Sequence, residues 1–187
     1  MEHVHPSISD SVQPADRKVL NLGSGPKLMP DALNVDLRAS NSPDLVHDLD
    51  LTPWPLPDNH FEEVVLGDIL EHLRDIVTTM EEIHRVCQDG AVVRITTPHF
   101  SSSNSFIDPT HLHHFSHFSF DYFTGENGFV LYSEKRFLRR QAQIIFHPTL
   151  VNKLIWRMAN RYPQAYERRW AWLFPAWFLS FELEVVK

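Results

Sequence analysis

The sequence predicts a single α/β domain built on an open sheet, and three observations carry that prediction. Short apolar runs closed by glycine, proline or aspartate recur through the first half, joined by loops or helical stretches. One long segment repeats its apolar residues every three or four positions, the period of a helix. The chain closes on an alternating stretch, with Phe181, Leu183 and Val185 on one face and Ser180, Glu182 and Glu184 on the other. At 187 residues, 43% hydrophobic and 22% charged, residues 1–187 suit one domain with its own core. Residues 1–16 are polar and are expected to be flexible.

Residues 19–22 read as the first strand, ended by the turn Gly23-Ser24-Gly25-Pro26. The second strand, 32–37, carries Asp36 near its end. Only residues 23–31, with Pro26 and Pro30 among them, join the two. That is near the lower limit for a parallel connection, so a loop or a single turn is expected in place of a crossover helix. A third strand at 45–47 leads through Asp48, Leu49 and a proline-punctuated loop to a fourth at 62–66. Ile69, Leu73, Ile76, Val77, Met80, Ile83 and Cys87 then mark a helix over 69–87, stopped by Asp89 and Gly90. A strand at 91–96 ends at Pro98, and residues 99–128, rich in Ser, His and Phe, form a long irregular segment. A strand at 138–146, a helix at 150–161, an aromatic stretch through Trp177 and the final strand at 178–186 complete the chain.

Composition narrows the function classes. A lone cysteine, Cys87, forms no internal disulfide and supplies no cysteine-rich metal site, which favours a reducing, cytoplasmic setting. The longest apolar run, 170–179, is too short to span a bilayer and contains Pro175. A net charge of −7 argues against nucleic acid as a partner. That charge is unevenly spread: residues 1–133 hold 7 basic and 20 acidic side chains, residues 134–187 hold 10 and 4. A basic tail over a cleft would favour an anionic ligand. The run Trp170, Trp172, Phe174, Trp177 and Phe178 is buried beneath helices, forms the contact of a homodimer or, with Arg168 and Arg169 beside it, attaches to a membrane surface.

In an open α/β sheet, ligands lie beyond the carboxyl ends of the strands, so the residues there belong together. Gly23 and Gly25 would admit close backbone approach, and Asp36 could accept from ribose hydroxyls. Asp48 and Leu49 could frame an adenine, and Gly67 and Asp68 could meet an ammonium group. In this order, Leu20-Asn21-Leu22-Gly23-Ser24-Gly25-Pro26, Asn34-Val35-Asp36, Leu56-Pro57-Asp58-Asn59-His60-Phe61-Glu62-Glu63-Val64, Leu70-Glu71-His72-Leu73 and Glu82-Ile83-His84-Arg85-Val86 resemble the class I methyltransferases that use S-adenosylmethionine (SAM). The likeness covers about residues 18–100. It implies a Rossmann-like, mostly parallel seven-stranded sheet with an antiparallel last strand. It also implies SAM as cofactor, held by Leu22, Gly23, Ser24, Gly25, Asp36, Leu37, Asp48, Leu49, Gly67 and Asp68, and a small-molecule acceptor served by the second half. The third small residue of the family's glycine motif is replaced by Pro26-Lys27.

Methyl transfer needs a base when the acceptor is a hydroxyl or a protonated amine. Asp108-Pro109-Thr110-His111-Leu112-His113-His114-Phe115 is the most unusual stretch, and three readings compete for it: an acceptor-side lid over 99–128 with a histidine base, a loop whose histidines cap backbone, and a metal site. Its spacing matches no standard zinc pattern, so no metal is expected. His111 and then His99 are the expected catalytic residues, with His72, Phe100 and His113 around the acceptor. A non-catalytic SAM-binding module stays open as an alternative. A NAD-dependent oxidoreductase fits less well, because Pro26 denies the helix that would receive a pyrophosphate.

Overall fold

The structure, a computed structural model, describes residues 7–8, 17–128 and 132–187. Its strands are β1 (Ser7–Ile8), β2 (Val19–Leu22), β3 (Ala32–Asp36), β4 (Leu45–Val46), β5 (Phe61–Gly67), β6 (Cys87–Pro98), β7 (Arg136–Ile145) and β8 (Phe178–Val186). They form one sheet in the order β1-β4-β3-β2-β5-β6-β8-β7. Strands β2 to β6 are parallel, while β8 runs antiparallel to both β6 and β7. Apart from the two-residue β1 on β4, this is the predicted sheet with its reversed last strand. Leu20, Leu22, Leu33, Val35, Val64, Val93 and Ile95 are wholly buried, as parallel strands covered on both faces require. The chain leaves β2 toward β3 and β4 on one side and returns to β5 and β6 on the other. The crevice beyond the ends of β2 and β5 is therefore the topological switch point, where such sheets bind ligands.

The first connection has no helix, as its length dictates. Two buried amides take its place. Asn21 and Asn34 lie opposite each other in the β2–β3 register. The Asn34 carbonyl accepts from Asn21 Nδ2 at 2.9 Å and from the Met29 backbone N–H at 2.8 Å. Its amide donates to the Met29 carbonyl at 3.0 Å and to Asp44 at 2.8 Å.

The helix expected over 69–87 is broken. Residues Leu70–His72 make a tight 3-10 turn, Leu73 is extended, and α1 spans Ile76–Val86. Asp75 starts it, its carboxylate accepting from the Thr78 N–H at 3.0 Å and the Thr78 hydroxyl at 2.8 Å. The apolar stripe runs through this cap because Leu73 and Ile76 keep the spacing on either side. Strand β6 opens directly at Cys87, earlier than expected. On α1, Arg85 donates to the carbonyls of Trp54 and Leu56, both at 3.0 Å, and Glu82 accepts from the Trp54 N–H at 2.7 Å. This pair fixes the proline-rich loop below the sheet.

Residues 99–128 contain two short helices, α2 (Asn104–Ile107) and α3 (Asp121–Thr124). Phe115, Phe120 and Phe123 anchor the segment in the core, while Phe106, Ile107 and Leu112 are exposed. Helix α4 (Leu150–Arg161) has the expected bounds, and α5 (Pro163–Arg169) follows with its proline in the first turn. The aromatic run beyond it is not buried: Trp170, Trp172, Leu173 and Phe174 are exposed. Among the described residues no helix is long and apolar enough to cross a membrane. The expected flexible stretch 1–16 falls outside the described residues except at Ser7, Ile8.

Candidate active site

The loops after β2, β3, β4 and β5 meet the switch point with unequal freedom. Gly23 adopts φ +63, and a Cβ there would lie 2.3 Å from Ile69 Cγ1. Glycine is thus required by the close approach of Ile69 and by the left-handed backbone. Gly25, at φ +50, faces open space. Asp36 is buried; its Oδ2 accepts from the Gly25 N–H at 2.7 Å, and its Oδ1 accepts from the Arg38 N–H at 2.8 Å and Asn41 Nδ2 at 3.0 Å. A carboxylate offers about four acceptor positions, so one remains on Oδ2, enough for one hydroxyl rather than two. Leu37, next in line, is 54% exposed. Asp48 Oδ1 closes a turn on the Asp50 N–H at 3.0 Å. Leu49 is buried, its carbonyl accepting from Trp54 Nε1 at 3.0 Å. Gly67 is exposed, and Asp68 beside it takes a left-handed conformation at φ 57. Among the described residues Asp68 Oδ1 is buried without a hydrogen-bond partner, and desolvation raises its carboxyl above the usual range.

The 3-10 turn behind Asp68 carries Glu71 and His72 and receives His111 from the 99–128 segment. One ligand atom from each of Glu71, His72 and His111 lies within 4.8 Å of the others. The rings of His72 and His111 meet edge to face at 4.6 Å. Backbone clamps hold the arrangement: the Leu112 and His113 N–H groups donate to the Glu71 carbonyl at 2.7 and 3.2 Å. Glu71 is 1% exposed; its Oε2 accepts from the Thr97 hydroxyl at 3.0 Å, and its Oε1 has no partner among the described residues. Desolvation pushes its carboxyl up to about 7. Burial, and then the neighbouring His111, holds His72 below the ordinary histidine value.

His99, His113 and Phe100 are placed elsewhere. His99 is wholly buried, with Nδ1 accepting from the Ser101 hydroxyl at 2.8 Å and the Ser101 N–H at 3.1 Å, and Nε2 facing Glu167 at 3.2 Å. Both nitrogens are committed, which leaves no lone pair for chemistry. His113 Nε2 turns to the Arg74 carbonyl at 3.3 Å. Phe100 stacks toward His99 and meets Trp172 edge-on at 5.5 Å. Glu71 escaped the sequence reading because it looked like one more polar position on a continuous helix.

A family model described as a methyltransferase domain matches residues 24–95, from the glycine turn to β6. The match spans under half of the chain and agrees with the resemblance to class I methyltransferases that the sequence motifs carry. The chain's fold is similar to a SAM-dependent methyltransferase from Archaeoglobus fulgidus, at 17% identity and TM-score 0.56, covering 90% of this chain and 86% of that one. It is also similar to one from Mesorhizobium loti, at 14% and 0.54, covering 92% and 93%. A third, from Aquifex aeolicus, matches at 11% and 0.53, covering 92% and 85%. At these identities the likeness speaks for the fold, and no curated protein matches the sequence. The resemblance implies SAM as cofactor, and the donor set at the switch point suits it. An orphaned carboxylate oxygen on Asp68 awaits a cation, Asp36 keeps one acceptor position, and Leu37 and Gly25 leave room beside it.

Proposed function

We propose that the protein is a SAM-dependent methyltransferase that uses Asp36 and Leu37 to hold the ribose side of SAM, Asp48 and Leu49 the adenine side, and Leu22, Gly23, Ser24, Gly25, Gly67 and Asp68 the methionine side. It moves the methyl group to a small, anionic acceptor. The observation that carries this reading is the unpartnered Asp68 oxygen beside exposed Gly67 at the switch point, a ready counterpart to the cofactor's ammonium. When bound, SAM supplies a methyl on a sulfonium leaving group. The chain's own task is to align the acceptor and exclude water, and such positioning can contribute several kcal/mol. The Glu71–His72–His111 cluster seats the acceptor's reacting group, and the exposed apolar tip of 99–128 closes over it as a lid. The basic charge of 134–187 supports an anionic acceptor, although Arg139 is spent on Asp121 and Glu126, and Arg140 on Glu184. The apolar groove between α4 and α5, about 750 Å³, supports a homodimer contact there.

Titration with S-adenosylhomocysteine tests this reading. Saturable binding that Asp36→Ala weakens at least ~30-fold is expected; unchanged binding in that variant would remove the nucleoside from this crevice.

A further inference from the structure

We propose that Glu71, His72 and His111 bind one divalent transition-metal cation of the zinc type, with Glu71 Oε1 and the Nε2 atoms of both histidines as ligands. The hydrogen bonds around the rings fix which nitrogen is free. The Thr110 hydroxyl donates to Asp108 Oδ1 at 2.7 Å, so its oxygen must accept from His72 Nδ1–H at 2.9 Å. His111 Nδ1 faces the Ser105 carbonyl at 3.2 Å, which can only accept. Each ring is thereby held in the tautomer that leaves Nε2 with its lone pair. A donated ring N–H held by a carbonyl or a carboxylate-backed hydroxyl is the outer arrangement typical of metal-binding histidine.

Glu71 supplies the second, independent observation. Its Oε1 is buried, at a residue 1% exposed, and has no donor. Two lone-pair nitrogens and one undonated carboxylate oxygen make a cluster of acceptors. Such a cluster is costly to bury unless a cation joins it. Ligand distances of ~2.0–2.2 Å place ligand atoms roughly 3–4 Å apart. Small rotations of the two half-buried imidazoles close the present separation of up to 4.8 Å. Two imidazoles and one carboxylate favour zinc, cobalt or iron(II) over magnesium or calcium, and three protein ligands leave coordination open. An oxygen of the acceptor would take that position, a point that rests on the methyl-transfer reading; cation binding itself does not.

The test uses the full chain, stripped with chelator and titrated with Zn²⁺ and with Co²⁺ as a spectroscopic probe. One equivalent is expected, with visible Co²⁺ d–d bands. His72→Ala and His111→Ala should each weaken binding at least ~100-fold, Thr110→Val roughly tenfold, and His113→Ala less than threefold. Glu71→Gln keeps the buried volume and should also lose the site. Thermal melts confirm that the variants fold. Absence of saturable binding, binding indifferent to residues 72 and 111, or occupation by a simple alkylammonium in place of metal overturns the proposal. S-adenosylhomocysteine titration of the same samples separates the two readings: nucleoside binding without metal sinks this one alone, and metal without nucleoside sinks the other.

Discussion

Two clusters of glutamate and histidine flank the segment 99–128, and they are opposites. In the first, His99 spends both nitrogens on Ser101 and Glu167, and the same Glu167 oxygen accepts the His117 N–H at 2.6 Å. Ser101 Oγ in turn accepts from the Ala176 N–H at 3.1 Å, tying the segment to the start of β8. Its one orphan is a ring nitrogen, His117 Nδ1. In the second, Glu71, His72 and His111 keep a carboxylate oxygen and two lone pairs without donors. Burial alone does not mark a working histidine, since His99 is the more buried. Unfilled capacity on several converging groups is the better mark, because each such buried group calls for something to complete it.

Exchanging histidine for alanine in each cluster gives the sharpest contrast. His111→Ala should lower methyl transfer by ~10²–10³-fold, within the range for a lost acid, base or electrostatic group. Its S-adenosylhomocysteine affinity, read by calorimetry, should stay within about twofold. His99→Ala takes one of two donors from the largely buried Glu167 and leaves a cavity, and should cost about 3 kcal/mol, a drop in Tm of roughly 6–12 °C. Its turnover per folded molecule should persist. A reversal of these two outcomes would interchange the roles.

The pH response tests the structural cluster next. Desolvation, then Arg139, pushes His117 down to about 4 from an ordinary 6.5. Above 6.5 the ring is neutral in both states and stability is unaffected. Between 6.5 and 4 the unfolded chain takes a proton that the folded one refuses, so stability falls as pH drops, by roughly 2–3 kcal/mol in all. Denaturant midpoints across that window should show the slope, and His117→Gln should flatten it. The smallest effects come from the supporting hydroxyls. Ser101→Ala should cost about 1 kcal/mol of stability, while Thr110→Val, exposed at the other cluster, should leave Tm within 2 °C or so.

How far the sequence reveals this molecule depends on whether local pattern or distant contact decides. Strands β2 and β8 and helix α4 fall at their expected bounds because hydrophobic period and end residues agree there. The short first connection follows from residue count and two prolines. The break at Leu73 is hidden because the apolar spacing survives it, and α5 is hidden because its seven residues are too few to show a helical period. Of the expected site, Asp36, Asp68, His72 and His111 come to the switch point. His99 and Phe100 turn to the C-terminal aromatics through partners at positions 167 and 172, a contact no local pattern encodes. Glu71 is the converse: ordinary in sequence, singular once packing strips its partners.

The knuckle of Ile69 pressed into the hollow of Gly23 joins two errands that the chain otherwise keeps apart. Packed interiors yield little, so a nudge at one surface is felt at the next. On the proposed reading, a nucleoside on the glycine turn would press on the isoleucine that immediately precedes Leu70, Glu71 and His72. Its arrival would then reach the histidine cluster through packing, and imidazole resonances of His72 would shift without any direct touch.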